Sequence, residues 1–355
     1  MNEAPVRGWS RIIVEDNRKE ERMSLLYINE DGAVIGVDGN RITVKYSNGL
    51  LKSLPIETVD NITILGQSQL TTQCIKSCLE KGIPVAFFSK GGRYFGRLYS
   101  TGHVNVALQR KQSSLYENEF ALQLSKRLIS TKLRNQLVVL KRYEKSTGAD
   151  VSGQIRMMRI CRLKVLESKE IPELMGYEGQ GAKEYFDGLA EVIEPDFKFK
   201  GRTRRPPLDE FNSMLSLGYS ILMNELYAAI ERKGLNPYFG FLHRDKEKHP
   251  TLASDLIEEW RAVIVDSVTM SLINGHEIQK TDFLINIDEP GCYLTRNGLK
   301  IFLNKLNNKL QTKMRYLNYV EYPVSFRQGI ALQLDMLARA IEAENASFYN
   351  PIEIR

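Results

Sequence analysis

A few residues of this chain have the types and spacing needed for metal chemistry. His243 lies in "GFLHRDKEKHPTLASDLIEEWR", and Asp255, Glu258 and Glu259 follow it on a predicted helix. Asp255 and Glu258 stand three residues apart and Glu259 one further, so either glutamate can share a helical face with Asp255. Upstream, "LMGYEGQGAKEYF" sets Glu178 among glycines. That pattern predicts a loop-to-helix transition, with the glutamate at the helix N-terminus and a backbone that a ligand can approach closely. One imidazole with two or three carboxylates suits Mg2+ or Mn2+. Such an ion polarises a phosphoryl oxygen and stabilises an attacking or leaving oxygen. Each residue also has an ordinary alternative: a solvated helix face for the carboxylates, a loop histidine, a helix cap for Glu178. A kinase loop is excluded. His243-Arg244-Asp245 matches its start, but Pro250 stands where a magnesium-holding Asn is required, and neither a glycine-rich phosphate loop nor Asp-Phe-Gly is present.

A second chemical feature is the basic run "KFKGRTRRPPLDEFN", which holds Lys198, Lys200, Arg202, Arg204 and Arg205 just before a helix expected to open at Pro207. It suits a phosphate backbone. The alternative is a solvated loop whose last arginine pairs with Asp209 or Glu210.

The elements that must position these groups change character along the chain. Residues 1–22, ending "NRKEER", read as a flexible leader. Residues 23–108 read as a small β-rich domain: "MSLLYIN", "AVIGVD", "RITVKY" and "NITILG" are short β-type runs punctuated by Asp31-Gly32, Asp38-Gly39-Asn40 and Asn48-Gly49. A helical stretch at 69–81 and the run "IPVAFFS" complete it. Residues 109–355 carry helical periodicity, in "ENEFALQLSKRLISTKLRNQLVVLKRY", "PLDEFNSMLSLGYSILMNELYAAIERKG", "LASDLIEEWRAVIVDSVTMSLING" and "RQGIALQLDMLARAIEAE". The expected class is α+β: a small N-terminal β-rich domain followed by a larger all-α catalytic domain.

Composition bounds the function. The 355 residues carry a net charge of +6, from 49 basic and 43 acidic side chains, which permits a polyanionic partner without requiring one. The four cysteines, Cys74, Cys78, Cys161 and Cys292, form no Cys-x-x-Cys pair and read as reduced thiols. No stretch reaches the apolar length of a membrane span and no hydrophobic signal region opens the chain, so a cytoplasmic protein with no membrane partner is expected.

Together, "MGYEGQGAKEYF", "RTRRPPLDEFNSMLSLGYSIL" and "GFLHRDKEKHPTLASDLIEEWR" resemble, in order and spacing, the CRISPR-associated spacer-acquisition integrase and endonuclease, the Cas-one family. "DNITILGQSQLTTQCIKSCLEKGIPVAFFS" with "GGRYFGRL" resembles its N-terminal domain, so the likeness runs from about Met23 to the C-terminus. The resemblance implies a metal site of Glu178, His243 and Glu258, which are also the catalytic residues, with Asp255 a second acid close by. Glu259 remains the alternative to Glu258. It implies Mg2+ or Mn2+, a DNA-binding role for Lys200, Arg202, Arg204 and Arg205, and a homodimer formed through the 23–108 domain. It further implies assembly with double-stranded DNA and a small ferredoxin-like partner, the Cas-two protein. The implied chemistry joins 3′-hydroxyl ends of a short duplex to the repeat array by transesterification, with DNA cleavage as the related activity. The other function kept in view is a catalytically inactive DNA-binding scaffold of the adaptation complex. Against it, Glu178, His243 and Glu258 all retain ligand atoms. A His-Asp metal phosphohydrolase is excluded because no adjacent His-Asp pair occurs in the chain.

Overall fold

A computed structural model describes residues 24–102, 104–286, 291–317 and 320–354; the predicted leader lies outside them. The chain divides into one unit ending at Ser100 and a second beginning at Thr101.

The first unit is built from eight strands and one helix: β1 (Ser24–Ile28), β2 (Val34–Asp38), β3 (Arg41–Lys45), β4 (Leu51–Pro55), β5 (Val59–Leu65), β6 (Gln69–Leu70), α1 (Thr72–Glu80), β7 (Val85–Phe88) and β8 (Tyr94–Leu98). The turn signals make hairpins: β2–β3 and β3–β4 pair antiparallel, with Gly39 and Gly49 at positive φ in the turns. A short parallel strand, β6, completes this sheet in the order β4-β3-β2-β6. The other sheet has the order β1-β5-β7-β8, with β1, β5 and β7 parallel. Parallel neighbours need a crossover, and α1 supplies it between β5 and β7. Ile35, Ile42 and Val44 of one sheet join Leu26, Ile62, Ile64 and Val85 of the other, with Cys74 and Cys78 of α1, in one buried cluster.

The second unit is mostly helical: α2 (Val106–Ser114), α3 (Glu119–Thr147), α4 (Ser152–Glu167), α5 (Ile171–Val192), α6 (Glu210–Arg232), α7 (Thr251–Leu256), α8 (Ser267–Asn274), β9 (Phe283–Asn286), β10 (Gly291–Leu294), α9 (Arg296–Gln311), β11 (Lys313–Met314), β12 (Val324–Ser325) and α10 (Phe326–Glu342). It is not wholly α, since β9–β10 and β11–β12 form two small antiparallel ribbons. The caps are those of polar N-cap chemistry. Asn118 accepts from Phe120 N at α3, Asp209 from Asn212 N at α6, and Ser325 forms a capping box with Gln328 at α10. Helix α6 therefore starts behind Asp209, and not at Pro207 as the Pro-Pro signal predicts.

Helix α3 is the spine of this unit and packs with α4 and α5. Gly181 of α5 faces Leu133 of α3, and a Cβ there would stand 2.6 Å from Leu133 Cδ2. Gly181 thus serves close helix packing, and the glycine-rich run continues as helix rather than loop. Glu178 sits inside α5, several residues from its start, and the predicted N-terminal placement is corrected. Tertiary packing here outweighs the helix cost of glycine.

The single long helix expected over Leu252–Asn274 is broken. After α7 comes a 3-10 turn, Ile257–Glu259, then a π-helical turn, Arg261–Asp266, then α8. The break sends neighbouring glutamates to different surroundings. Glu259 is fully buried, and its Oε2 accepts from Ile352 N and from Gln333 Nε2, each at 3.0 Å. Asn135 of α3 extends the seam: its Nδ2 donates to Glu259 O at 3.0 Å and to Ile352 O at 2.8 Å, and its Oδ1 accepts from Ile354 N at 3.1 Å. Segment 352–354 is therefore stitched onto α3 and the turn that carries Glu258.

Among the described residues, no helix is long and apolar enough to cross a membrane.

Burial raises the Glu259 carboxyl to about 8, against the pull of its hydrogen bonds from Ile352, Tyr349 and Gln333. A folded-state value above the unfolded one means stability that is full below the ordinary carboxyl range and lost as pH rises through about 8. Glu259→Gln keeps the neutral form at every pH. Thermal melts from pH 5 to pH 9 should show the wild type falling more than the variant, by on the order of a few kcal/mol at about 1.4 kcal/mol per pKa unit. Parallel profiles would disprove the buried neutral carboxyl.

Candidate metal centre

The site begins with a loop that cannot hold its own shape. Residues Gly240–His243 connect α6 to α7 without regular structure, and their backbone N–H groups need acceptors. Asp255 supplies them. Its Oδ2 accepts from Phe241 N at 2.6 Å and Leu242 N at 3.0 Å, and its Oδ1 accepts from His243 N at 3.0 Å. Gly240 is required, because a Cβ would stand 2.8 Å from both Asp255 Oδ2 and Thr251 Cβ. Gly240 N also donates to Thr251 Oγ1 at 3.0 Å.

The same carboxylate orients the histidine. His243 Nδ1 lies 2.7 Å from Asp255 Oδ1, which leaves Nε2 as the outward ring nitrogen. Burial pulls the imidazole down, but the hydrogen bond and charge of Asp255, with the charge of Glu258, raise it above its ordinary value. Asp255 thus holds the loop and His243, while Glu258, three residues on, meets the cations and still lies close enough for its charge to act on His243.

Glu258 and Glu178 meet at one cation. Lys132 of α3 forms an ion pair with Glu178 and another with Glu258 Oε2, the latter at 2.6 Å. Glu258 Oε2 has that ion pair but no hydrogen bond of acceptable alignment. Its other oxygen, Oε1, accepts from Arg261 Nε at 3.0 Å. Arg261 is brought there by the π-helical turn, a distortion common at functional sites. Burial would raise the Glu258 carboxyl, yet Arg261 and Lys132 hold it down at about 2. Burial would lower the Lys132 ammonium, and Glu258 and Glu178 together keep it above its ordinary value. Glu258 and Lys132 are both charged near neutral pH.

Lys132 is the residue that the sequence pattern does not single out, since α3 is rich in lysine and arginine. A signal was available: it follows Leu128 and Ile129 at helical spacing, which puts a lysine on the buried stripe of an amphipathic helix.

Arg261 leads outward. Its guanidinium lies 4.5 Å from the Tyr219 ring centroid and that of Arg202 lies 5.4 Å from it. Tyr219 and Tyr185 both donate to the buried Asp266, whose carboxyl burial pushes up. Arg202 is further tied, Nη1 to Asn212 Oδ1 at 2.8 Å and Nη2 to Ser216 Oγ at 3.2 Å. It is half-buried and braces its loop. Lys200, Arg204 and Arg205 are exposed. Arg205 does not make the predicted pair with Asp209, whose carboxylate is spent on Asn212 N at 2.8 Å and Asn212 Nδ2 at 2.7 Å. Lys198 lies 3.6 Å from Glu191.

Among the described residues, no three His, Cys, Asp or Glu side chains form a ready coordination shell. The chemistry of the donor set nevertheless fits a hard divalent cation. Two ionised carboxylates from different helical segments already converge on one positive charge, and an oriented imidazole lies within the field of Glu258. Glu259 is committed instead to the 352–354 seam.

Comparison with known proteins gives the family of the chain. The family model described as CRISPR associated protein Cas1 matches residues 26–308. A CRISPR-associated endonuclease Cas1 of Mycobacterium tuberculosis is 37% identical over 335 residues, covering 94% of this chain and 98% of the relative. One from Thermus thermophilus is 34% identical over 336 residues, covering 94% and 98%. Among solved structures, a CAS1 protein from Thermotoga maritima superposes with a TM-score of 0.77 at 25% identity, covering 90% of this chain and 97% of that one. A casposase bound to integration product shares the fold, with a TM-score of 0.79 at 24% identity and coverage of 93% and 94%. A Cas6-RT-Cas1--Cas2 complex also shares it, with a TM-score of 0.81 at 24% identity over 96% of this chain and 37% of the longer one. The chain is a member of the Cas1 family of CRISPR-associated proteins.

Proposed function

We propose that this protein is a metal-dependent DNA endonuclease and integrase of CRISPR adaptation, which inserts short duplex DNA into a repeat array by transesterification from 3′-hydroxyl ends. The observation that carries the proposal is the convergence of Glu178 and Glu258 on one cation beside an imidazole that Asp255 has already oriented. The relatives' name as endonucleases supports the cleavage activity, and the casposase likeness is consistent with integration. Family membership and the Cas1--Cas2 likeness favour a homodimer working with a Cas2 partner on double-stranded DNA in the cytoplasm.

Glu178 and Glu258 would hold Mg2+ or Mn2+ through oxygen, and His243 through Nε2. When bound, the ion supplies Lewis acidity at the scissile phosphate and lowers the barrier to displacement of its leaving oxygen. Everything else belongs to the chain. Asp255 holds the Nδ1 side of His243, so the lone pair of Nε2 faces outward; carboxylate–histidine pairs of this kind fix both ring orientation and tautomer. Arg261 occupies one oxygen of Glu258 and keeps the other turned inward. Burial of Asp255, Glu258 and Lys132 excludes water from the inner wall of the site. Lys200, Arg204 and Arg205 stand exposed to meet backbone phosphates, which fix the duplex in place without reading its sequence.

Two measurements test this. Glu178→Gln, His243→Ala and Glu258→Gln should each lose strand joining by roughly 100-fold or more, the upper end of losses seen for disturbed metal sites. Glu259→Gln should join strands normally. Chelation should stop the wild type, and Mg2+ or Mn2+ should restore it. Full activity after thorough chelation would remove the metal-dependent mechanism.

The second measurement is a salt titration of duplex affinity. Changing Lys200, Arg204 and Arg205 together to Ala should flatten the slope of log affinity against log salt by up to roughly three units, about one for each phosphate contact. Arg202→Ala should instead lower the melting temperature, because it removes a brace. An unchanged slope in the triple variant would leave this loop merely solvated.

A further inference from the structure

Glu178 and Glu258 arrive on separate elements, α5 and the turn after α7, so something must hold the two carboxylates together. Lys132 of α3 does. Its side chain is only 8% exposed, and its ammonium pairs with both carboxylates. Beyond it, Arg261 satisfies the remaining side of Glu258 at 3.0 Å. Two carboxylates and two cations make the cluster neutral as it stands. An isolated buried carboxylate pair would be strongly unfavourable, so the lysine stabilises the site while no ion is bound.

That neutrality has a cost for metal binding. A divalent cation placed on the same oxygens meets a nearby ammonium of like sign in a poorly solvated setting. The ion must take from Lys132 the oxygens that Lys132 now holds. A lysine of purely structural value would leave metal affinity alone or support it. A competitor must weaken it.

We propose that Lys132 is the resident counter-ion of the metal site. It keeps Glu178 and Glu258 in register before the metal binds, yields them when the ion arrives, and so lowers the affinity of the site for the divalent ion. The proposal rests on the metal-site assignment made above, and Lys132 acts as a positioning residue through the two glutamates.

The test uses the full chain and Mn2+ as the probe, with binding followed by calorimetry or by electron paramagnetic resonance, and melting followed with and without chelator. Lys132→Gln and Lys132→Met should bind Mn2+ roughly 10-fold or more tightly than wild type, because unit charges this close interact by several times RT. Both should melt lower than wild type in chelator and gain more from Mn2+, since the ion then replaces the lost charge. Lys132→Arg keeps the charge and should bind Mn2+ within a few-fold of wild type. If wild type binds no Mn2+, the metal site itself is wrong. Should wild type bind while the neutral variants bind equally or more weakly, the counter-ion role alone is overturned. The same holds if Lys132→Arg tightens binding as much as they do. Neutral variants that do not fold in chelator must fold in saturating Mn2+; failure to do so also overturns the proposal.

Discussion

The candidate centre depends first on a single buried carboxylate. Asp255 is fully buried, and it is tolerated there because three backbone N–H groups and the His243 ring share its charge. Remove that carboxylate and the Gly240–His243 loop loses its acceptors together with the orientation of its histidine. The remaining ion pairs are arranged around this anchor. Glu258, three residues on, is received by Lys132 and Arg261. Of the three carboxylates, one serves the loop, one the cation cluster and one the chain seam.

Charge and packing are shared out along the same line. From Glu178 the contacts run through Lys132, Glu258, Arg261 and Tyr219 to Arg202, and Arg202 braces the loop whose outward residues are Lys200, Arg204 and Arg205. The aromatic residues of that loop face inward: Phe199 stacks on Phe211 with centroids 4.1 Å apart, so the alternating lysines face outward. The exposed cations are presented by a loop whose inner side is well packed and whose guanidinium brace reaches toward the metal centre.

Much of this was legible in the amino-acid sequence, and the part that was not has physical causes. The hairpin turns of the first unit follow from Asp38-Gly39 and Asn48-Gly49, because local turn chemistry dictates them. The parallel pairing of β1 with β5 is a long-range choice with no local signature. His243, Asp255 and Glu258 were evident from type and spacing, whereas the choice between Glu258 and Glu259 turned on one irregular turn. Glu178 was placed at a helix start and lies inside α5: a glycine that looks like a loop is a packing contact when a partner helix presses on it, as Leu133 does on Gly181. Lys132 was hidden among the surface lysines of α3. A charge run does not tell which member turns inward, as Arg202 does.

The seam that joins Asn135, Glu259 and residues 352–354 bears on the order in which the molecule can assemble. Ile352 follows Glu259 by 93 residues, and Ile354 follows Asn135 by 219. During synthesis, α3 and the turn carrying Glu258 are made long before the segment that closes over them. Until that segment arrives, Asn135 Oδ1 lacks the Ile354 N–H and Glu259 lacks one of its donors. The turn beside the cation cluster therefore gains its last hydrogen bonds only when the end of the described chain has been made.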